Sequence, residues 1–202
     1  MLLLRHIDAN VQDYFGPWLD LPTGFLPILR DMAGMADPYM ARQHYLFHTA
    51  MDALCFCQLH PHLLEKPGSN VFTAIGSRPT AAQLLGLKHR LPNARTVGVF
   101  DDDLCGRVLD CKVALWQMRR DASFRLDGQE IMFTYGGSPY RIPLPLFSLH
   151  RFRTATGFRS AYRTAKPNGA VSYAAMLAAR QAAHTTKSKR YDTRTVQEEH
   201  KP

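Results

Sequence analysis

Nowhere in these 202 residues does an apolar run approach the roughly 20 residues that a membrane-crossing helix needs. The opening Met1-Leu-Leu-Leu-Arg-His6 is too short for the apolar core of a secretory signal. Cysteine is scarce, and the four present (Cys55, Cys57, Cys105 and Cys111) all fall inside apolar helical patterns. That argues against a disulfide scaffold and predicts buried, reduced thiols in a cytoplasmic protein. Charged residues amount to 21% and apolar ones to 46%, which suits one soluble domain with an extension and a sizeable core. No internal repeat is present.

Acid is missing from one end of the chain. Basic and acidic residues balance at 14 each over residues 1–150, whereas residues 151–202 hold 11 basic against 3 acidic side chains. The net charge of +8 therefore resides in the last quarter of the sequence. A neutral body with a basic end fits a nucleic-acid contact and, equally, a solvated tail.

Residues 1–42 carry turn signals around apolar patches and read as a lead-in segment. Residues 43–150 then alternate strand-like and helical patterns. Strands are predicted at His44–Phe47, Val71–Ile75 and Thr96–Phe100, with helices over Thr49–Leu59, from an N-cap at Thr80 to about Arg90, and over Leu104–Arg119. Such alternation implies βαβ units and a mainly parallel sheet flanked by helices. Ser123–Leu126 and Glu130–Tyr135 flank Asp127-Gly128, a hairpin signal, and Tyr140–Leu149 is held to an edge by Pro143 and Pro145. Residues 151–202 read as a basic connector, a short helix over Ser172–Ala183 and a disordered tail.

The most informative stretch is Val97-Gly-Val-Phe-Asp101-Asp102-Asp103-Leu-Cys-Gly106-Arg107. Three consecutive acids at the carboxyl end of a buried strand lie where open α/β sheets place ligands. Asp101 and Asp103, two apart, project to one side of extended backbone and suit a hard cation such as Mg²⁺.

Three segments together resemble the Toprim (topoisomerase–primase) domain, in the degenerate form found in bacterial mobile-element and primase-like proteins. His48-Thr-Ala-Met-Asp52-Ala-Leu resembles the family's first strand-to-helix junction, where Glu-x-x-x-Asp-Ala-Leu is common. Thr73-Ala-Ile-Gly76-Ser77 resembles its glycine turn, and Phe100-Asp101-Asp-Asp103-Leu-Cys-Gly106 its Phe-Asp-x-Asp-x-x-Gly element. The resemblance implies a Toprim-like fold and nucleic-acid handling accessory to primase, nicking or mobilisation. It implies Mg²⁺ on Asp101 and Asp103, and a proton-exchanging group at the first junction. That position holds His48 instead of Glu, so the chemistry is expected to be weak or lost: imidazole is a poor Mg²⁺ ligand, though it can still exchange a proton. Many relatives carry a further acidic cluster after the third helix, whereas Asp121 to Arg125 has one acid.

Two rival functions stand beside this one. The first is a non-catalytic DNA-binding or scaffold module on the same fold. The second is a haloacid-dehalogenase-like phosphatase, whose Asp-x-Asp usually follows the first strand and precedes Thr or Val, unlike Leu104 here. For nucleic acid, DNA or RNA, the candidate contacts are Arg78 beside the glycine turn, Arg107 beside the acids, and Arg151, Arg153, Arg159 and Arg163. The last four interleave with Phe152, Phe158 and Tyr162, a pattern suited to backbone contact with stacking. Arg107 is expected first as a salt-bridge partner of Asp101 or Asp103, and Asp52 as a helix-terminal acid. Gly76-Ser77-Arg78 reads equally as a phosphate cradle or an ordinary turn. The run Cys55-Phe-Cys57-Gln-Leu-His60-Pro-His62 is no zinc site, because helical residues two apart diverge by about 200°.

Overall fold

The computed structural model describes residues 7–19, 37–65 and 68–183. The chain forms an α/β fold with a four-stranded parallel sheet and a three-stranded antiparallel sheet. In chain order the elements are α1 (Ala9–Leu19), β1 (Gln43–Phe47), α2 (Ala50–Leu59), β2 (Asn70–Ala74), α3 (Ala81–Arg90), β3 (Arg95–Gly98) and α4 (Leu104–Gln117). Then come β4 (Phe124–Asp127), β5 (Glu130–Tyr135), β6 (Ser138–Pro143), α5 (Leu149–Thr156), β7 (Arg163–Thr164) and a last helix, α6, over residues 173–183.

The parallel sheet has the order β2-β1-β3-β7. Right-handed crossovers from β1 out to β2, and from β2 back past β1 to β3, put α2 and α3 on opposite faces. The packing agrees. Phe47, Phe72, Val97 and Val99 bury against Val11 and Phe15 of α1, Leu54 and Phe56 of α2, and Tyr173 and Leu177 of α6. Leu46 and Phe100 bury on the other face with Leu84 of α3 and Cys111 and Leu115 of α4. Successive strand residues thus serve both faces, which is why these strands read as continuous apolar runs. Reciprocal capping boxes fix the starts of two helices, Thr49 with Asp52 for α2 and Thr80 with Gln83 for α3.

The Asp127-Gly128 hairpin forms, with Gly128 at φ +57° in the turn. Its sheet is part of the core, since Ile131, Phe133 and Ile142 bury with α4 and α5. β6 is an edge strand but stops at Pro143. Ser148 then caps α5, and Gly157 at φ +70° ends it.

The sequence-based boundary at residue 150 does not hold. Far from being a connector, the following segment supplies the sheet's fourth strand, β7, which pairs with Val97 and Gly98. It also supplies the buried side chains of Phe152, Phe158, Tyr162, Tyr173 and Leu177. β7 is only two residues long and lacks an apolar run, so no periodicity announces it. α6 matches the predicted helix closely, whereas the predicted disordered tail from Thr185 lies outside the described residues. The thiol expectation holds for Cys55, Cys57 and Cys111. Cys105, in the first turn of α4, is exposed. No helix among the described residues is long and apolar enough to cross a membrane.

Candidate functional site

The sheet's connections set out in opposite directions from two neighbouring strands. β1 leads to β2 over one face, and β3 leads towards β7 over the other. Open α/β sheets place a ligand crevice at the carboxyl ends where such directions diverge. The residues that follow β1 and β3 there are His48, Thr49 and Asp52 on one side and Asp101, Asp102 and Asp103 on the other. The rings of His48 and Phe100 meet across it, 4.9 Å apart.

The three aspartates are in different situations. Asp103 is the N-cap of α4, with Oδ1 accepting the Gly106 N–H at 2.7 Å. Asp102 accepts from Arg107 Nε at 2.9 Å, so Arg107 pairs with the middle acid and not with Asp101 or Asp103 as expected. The chain bends at Asp102 and Asp103; Asp103 turns into its cap, and Asp102 meets Arg107. The Asp101 carboxylate, half-buried, makes no hydrogen bond to protein among the described residues. Burial raises its pKa above the ordinary carboxylate range; Asp52 and Asp103 push the same way, and His48 and Lys166 oppose them. Asp52 itself accepts from the Thr49 N–H and hydroxyl, which makes it the helix-terminal acid that its position suggested.

Beneath this loop lies a network that the sequence reading missed. The Lys166 ammonium donates to the carbonyls of Phe100 at 3.0 Å and Asp101 at 2.9 Å, and pairs with Asp110 Oδ2 at 2.7 Å. Tyr162 donates to Asp110 Oδ1 at 2.8 Å. Asp110 is buried, and its desolvation pushes its pKa up to about 6 against the lowering influence of Lys166 and the Tyr162 hydroxyl. Gly98 leaves room for this cluster: a Cβ there would collide with the Tyr162 hydroxyl. At Gly106 a Cβ would strike the Asp101 carbonyl, so the tight turn of acids also depends on glycine. One clue was legible. Asp110 lies among Gly106, Leu109, Val113 and Ala114, and an acid on the apolar face of a helix needs a partner. Its partner, 56 positions away, was not.

The arginines divide as well. Arg153 is committed to structure, since one guanidinium nitrogen donates to Ser160 Oγ at 2.8 Å and to the Tyr162 carbonyl at 2.7 Å. Phe152, Phe158 and Tyr162 are buried, so the expected interleaved stacking surface does not exist. The core's demand for aromatic area turns these rings inward, Phe152 from α5 and Phe158 and Tyr162 from the segment that follows it. Arg78, Arg151, Arg159 and Arg163 are exposed, while Arg107 is half-buried in its ion pair. Gly76, at φ +75°, donates its N–H to the His48 carbonyl, so that N–H is already spent in the turn.

Compared with family models, curated proteins and solved structures, the chain gives no significant match. Its chemistry must therefore be argued from its own residues. Among the described residues, no three His, Cys, Asp or Glu side chains gather as a metal cage. The donor set nonetheless fits Mg²⁺ in a limited sense, because that ion is commonly held by one or two carboxylates with waters and substrate phosphates. Asp101, with no protein donor and two acids nearby, is such a carboxylate, and Asp103 retains one oxygen outside its cap.

Proposed function

We propose that this chain is a nucleic-acid-handling protein with a degenerate Toprim-like domain, accessory to primase, nicking or mobilisation functions. The observation that carries this reading is the position of Asp101, Asp103, His48 and Asp52 together around the carboxyl-end crevice between β1 and β3. Asp101 and Asp103 would hold Mg²⁺ weakly. When bound, that ion would offset the negative charge of a phosphodiester approaching the acids. His48 would exchange a proton with the strand, and the exposed Arg151, Arg159 and Arg163 would contact its backbone.

A second reading, a DNA-binding or scaffold module without catalysis, is favoured by specific commitments of the acids. Asp103 caps a helix, Asp102 is paired with Arg107, and His48 stands where the resemblance has Glu.

Calorimetric titration of Mg²⁺ or Mn²⁺ into the wild type and Asp101→Asn/Asp103→Asn decides between them, together with assays of DNA cleavage and primer synthesis. Metal binding that the double change abolishes supports the first reading; recovery of activity in His48→Glu identifies a degenerate enzyme. Wild type that binds DNA but no metal leaves the second. The basic surface is tested by Arg151→Gln/Arg159→Gln/Arg163→Gln. Deletion of residues 151–202 would remove β7 and part of the core.

A further inference from the structure

At the opposite end of the sheet lies a groove of about 540 Å³, lined by Tyr39, Met40, Arg42, Gln43, Asn93 and Arg95. It is formed where β1 and β3 begin, and the two strands fix it: the Arg95 N–H donates to the Arg42 carbonyl at 2.9 Å. The register sets Arg95 opposite Gln43, and Arg42, one residue earlier, also borders the groove. On its rim, a short turn over Pro38–Met40 is capped by Asp37, and Asn93 Nδ2 donates to the Tyr39 carbonyl at 3.1 Å. The backbone of Tyr39 is thus anchored while its side chain is 66% exposed. Among the described residues, none that lines it is acidic.

Arg42 and Arg95 are exposed, and neither makes an ion pair among the described residues. The last turn of α3 adds Lys88, His89 and Arg90 at the same edge, because that helix returns to the sheet's amino side before β3. Unpaired guanidiniums beside carboxamides suit phosphate, which they take bidentately, and an exposed phenol ring offers a platform for a base. The volume falls within the range of small-ligand sites.

We infer that this amino-edge groove binds a nucleotide unit, with Arg42 and Arg95 on its phosphate and Tyr39 against its base. The unit is either a free nucleotide or one nucleotide of a strand; the strand form rests on the proposed nucleic-acid function. Unlike the acidic edge, this edge requires no cation to accept a phosphate.

The test is fluorescence anisotropy of 5′-fluorescein-labelled dT15 in EDTA at several salt concentrations, with calorimetry of dTMP. The proteins are wild type, Arg42→Ala/Arg95→Ala, Arg42→Lys/Arg95→Lys, Tyr39→Ala and a distant control, Arg141→Ala. Because the altered side chains are exposed, thermal melts should match wild type. The double alanine variant should weaken dT15 binding at least tenfold and reduce the salt slope by about 0.7, the value for one lost phosphate contact on a single strand. The lysine variant should keep the slope, and Tyr39→Ala should lose about fivefold or more. Undiminished dT15 and dTMP binding by the double alanine variant overturns this inference and leaves the proposed function standing. Binding of dTMP without dT15, lost in that variant, supports a free-nucleotide groove and counts against the strand reading. Wild type that binds neither overturns this inference.

Discussion

Replacing Lys166 with Met would strand Asp110, and the cost should depend on pH. The wild-type Asp110 carboxyl is buried, with its pKa at about 6 chiefly because of desolvation. A folded-state value above the unfolded one of about 4 means that the folded form binds the proton more tightly. Its favourable contribution is complete below pH 4 and is lost as pH rises through 6, at about 1.4 kcal/mol per unit. Lys166 is the largest influence holding that value down, so its removal extends the loss to higher pH. At pH 5 Asp110 is largely protonated, and Lys166→Met should cost only its hydrogen bonds to the Phe100 and Asp101 carbonyls, about 1–3 kcal/mol. At pH 8 it should cost about 3–5 kcal/mol, the penalty for breaking a buried pair from one side. Urea denaturation at both pH values measures the difference. Asp110→Asn/Lys166→Met should be less damaging at pH 8 than Lys166→Met alone, since the amide carries no charge. A cost for Lys166→Met that is the same at pH 5 and pH 8 would refute the reasoning.

Gly98→Ala should destabilise by about 3 kcal/mol through collision with the Tyr162 hydroxyl, and adding Tyr162→Phe should recover part of that in a double-mutant cycle. Asp103→Asn should melt like wild type because Asn is an equally good N-cap, whereas Asp103→Ala should lose about 1 kcal/mol. His44, buried and bonded to Thr73 Oγ1, has its pKa lowered to about 3 by burial and, secondarily, by Lys88. The stability of its neutral form is present above about pH 6.5 and lost as pH falls towards 3, at about 1.4 kcal/mol per unit. His44→Gln should flatten the acid limb of a urea-midpoint profile; an unchanged limb would show that another group controls it.

The sequence by itself determined the regular elements between Gln43 and Gln117. Each strand is a local apolar run, and a helix such as α3 carries its own start signal, at Thr80. The Asp127-Gly128 hairpin was legible for the same reason, since its turn chemistry is contained in adjacent residues. It also brought the acids to a strand's carboxyl end, where their importance could be read before any contact was known. Only the tertiary structure decided how the acids are used. Asp103 caps, Asp102 pairs and Asp101 remains without a protein donor because of how the turn after β3 is held. That turn is held in part by Lys166, from a segment that sequence reading set aside as a connector. The Arg42–Arg95 groove likewise exists only because residues 53 positions apart become neighbours when β1 and β3 pair. Local patterns follow backbone geometry and hydrophobic period, which a linear reading captures. The partner of a buried charge and the neighbour of a strand are chosen by the packing of the whole chain.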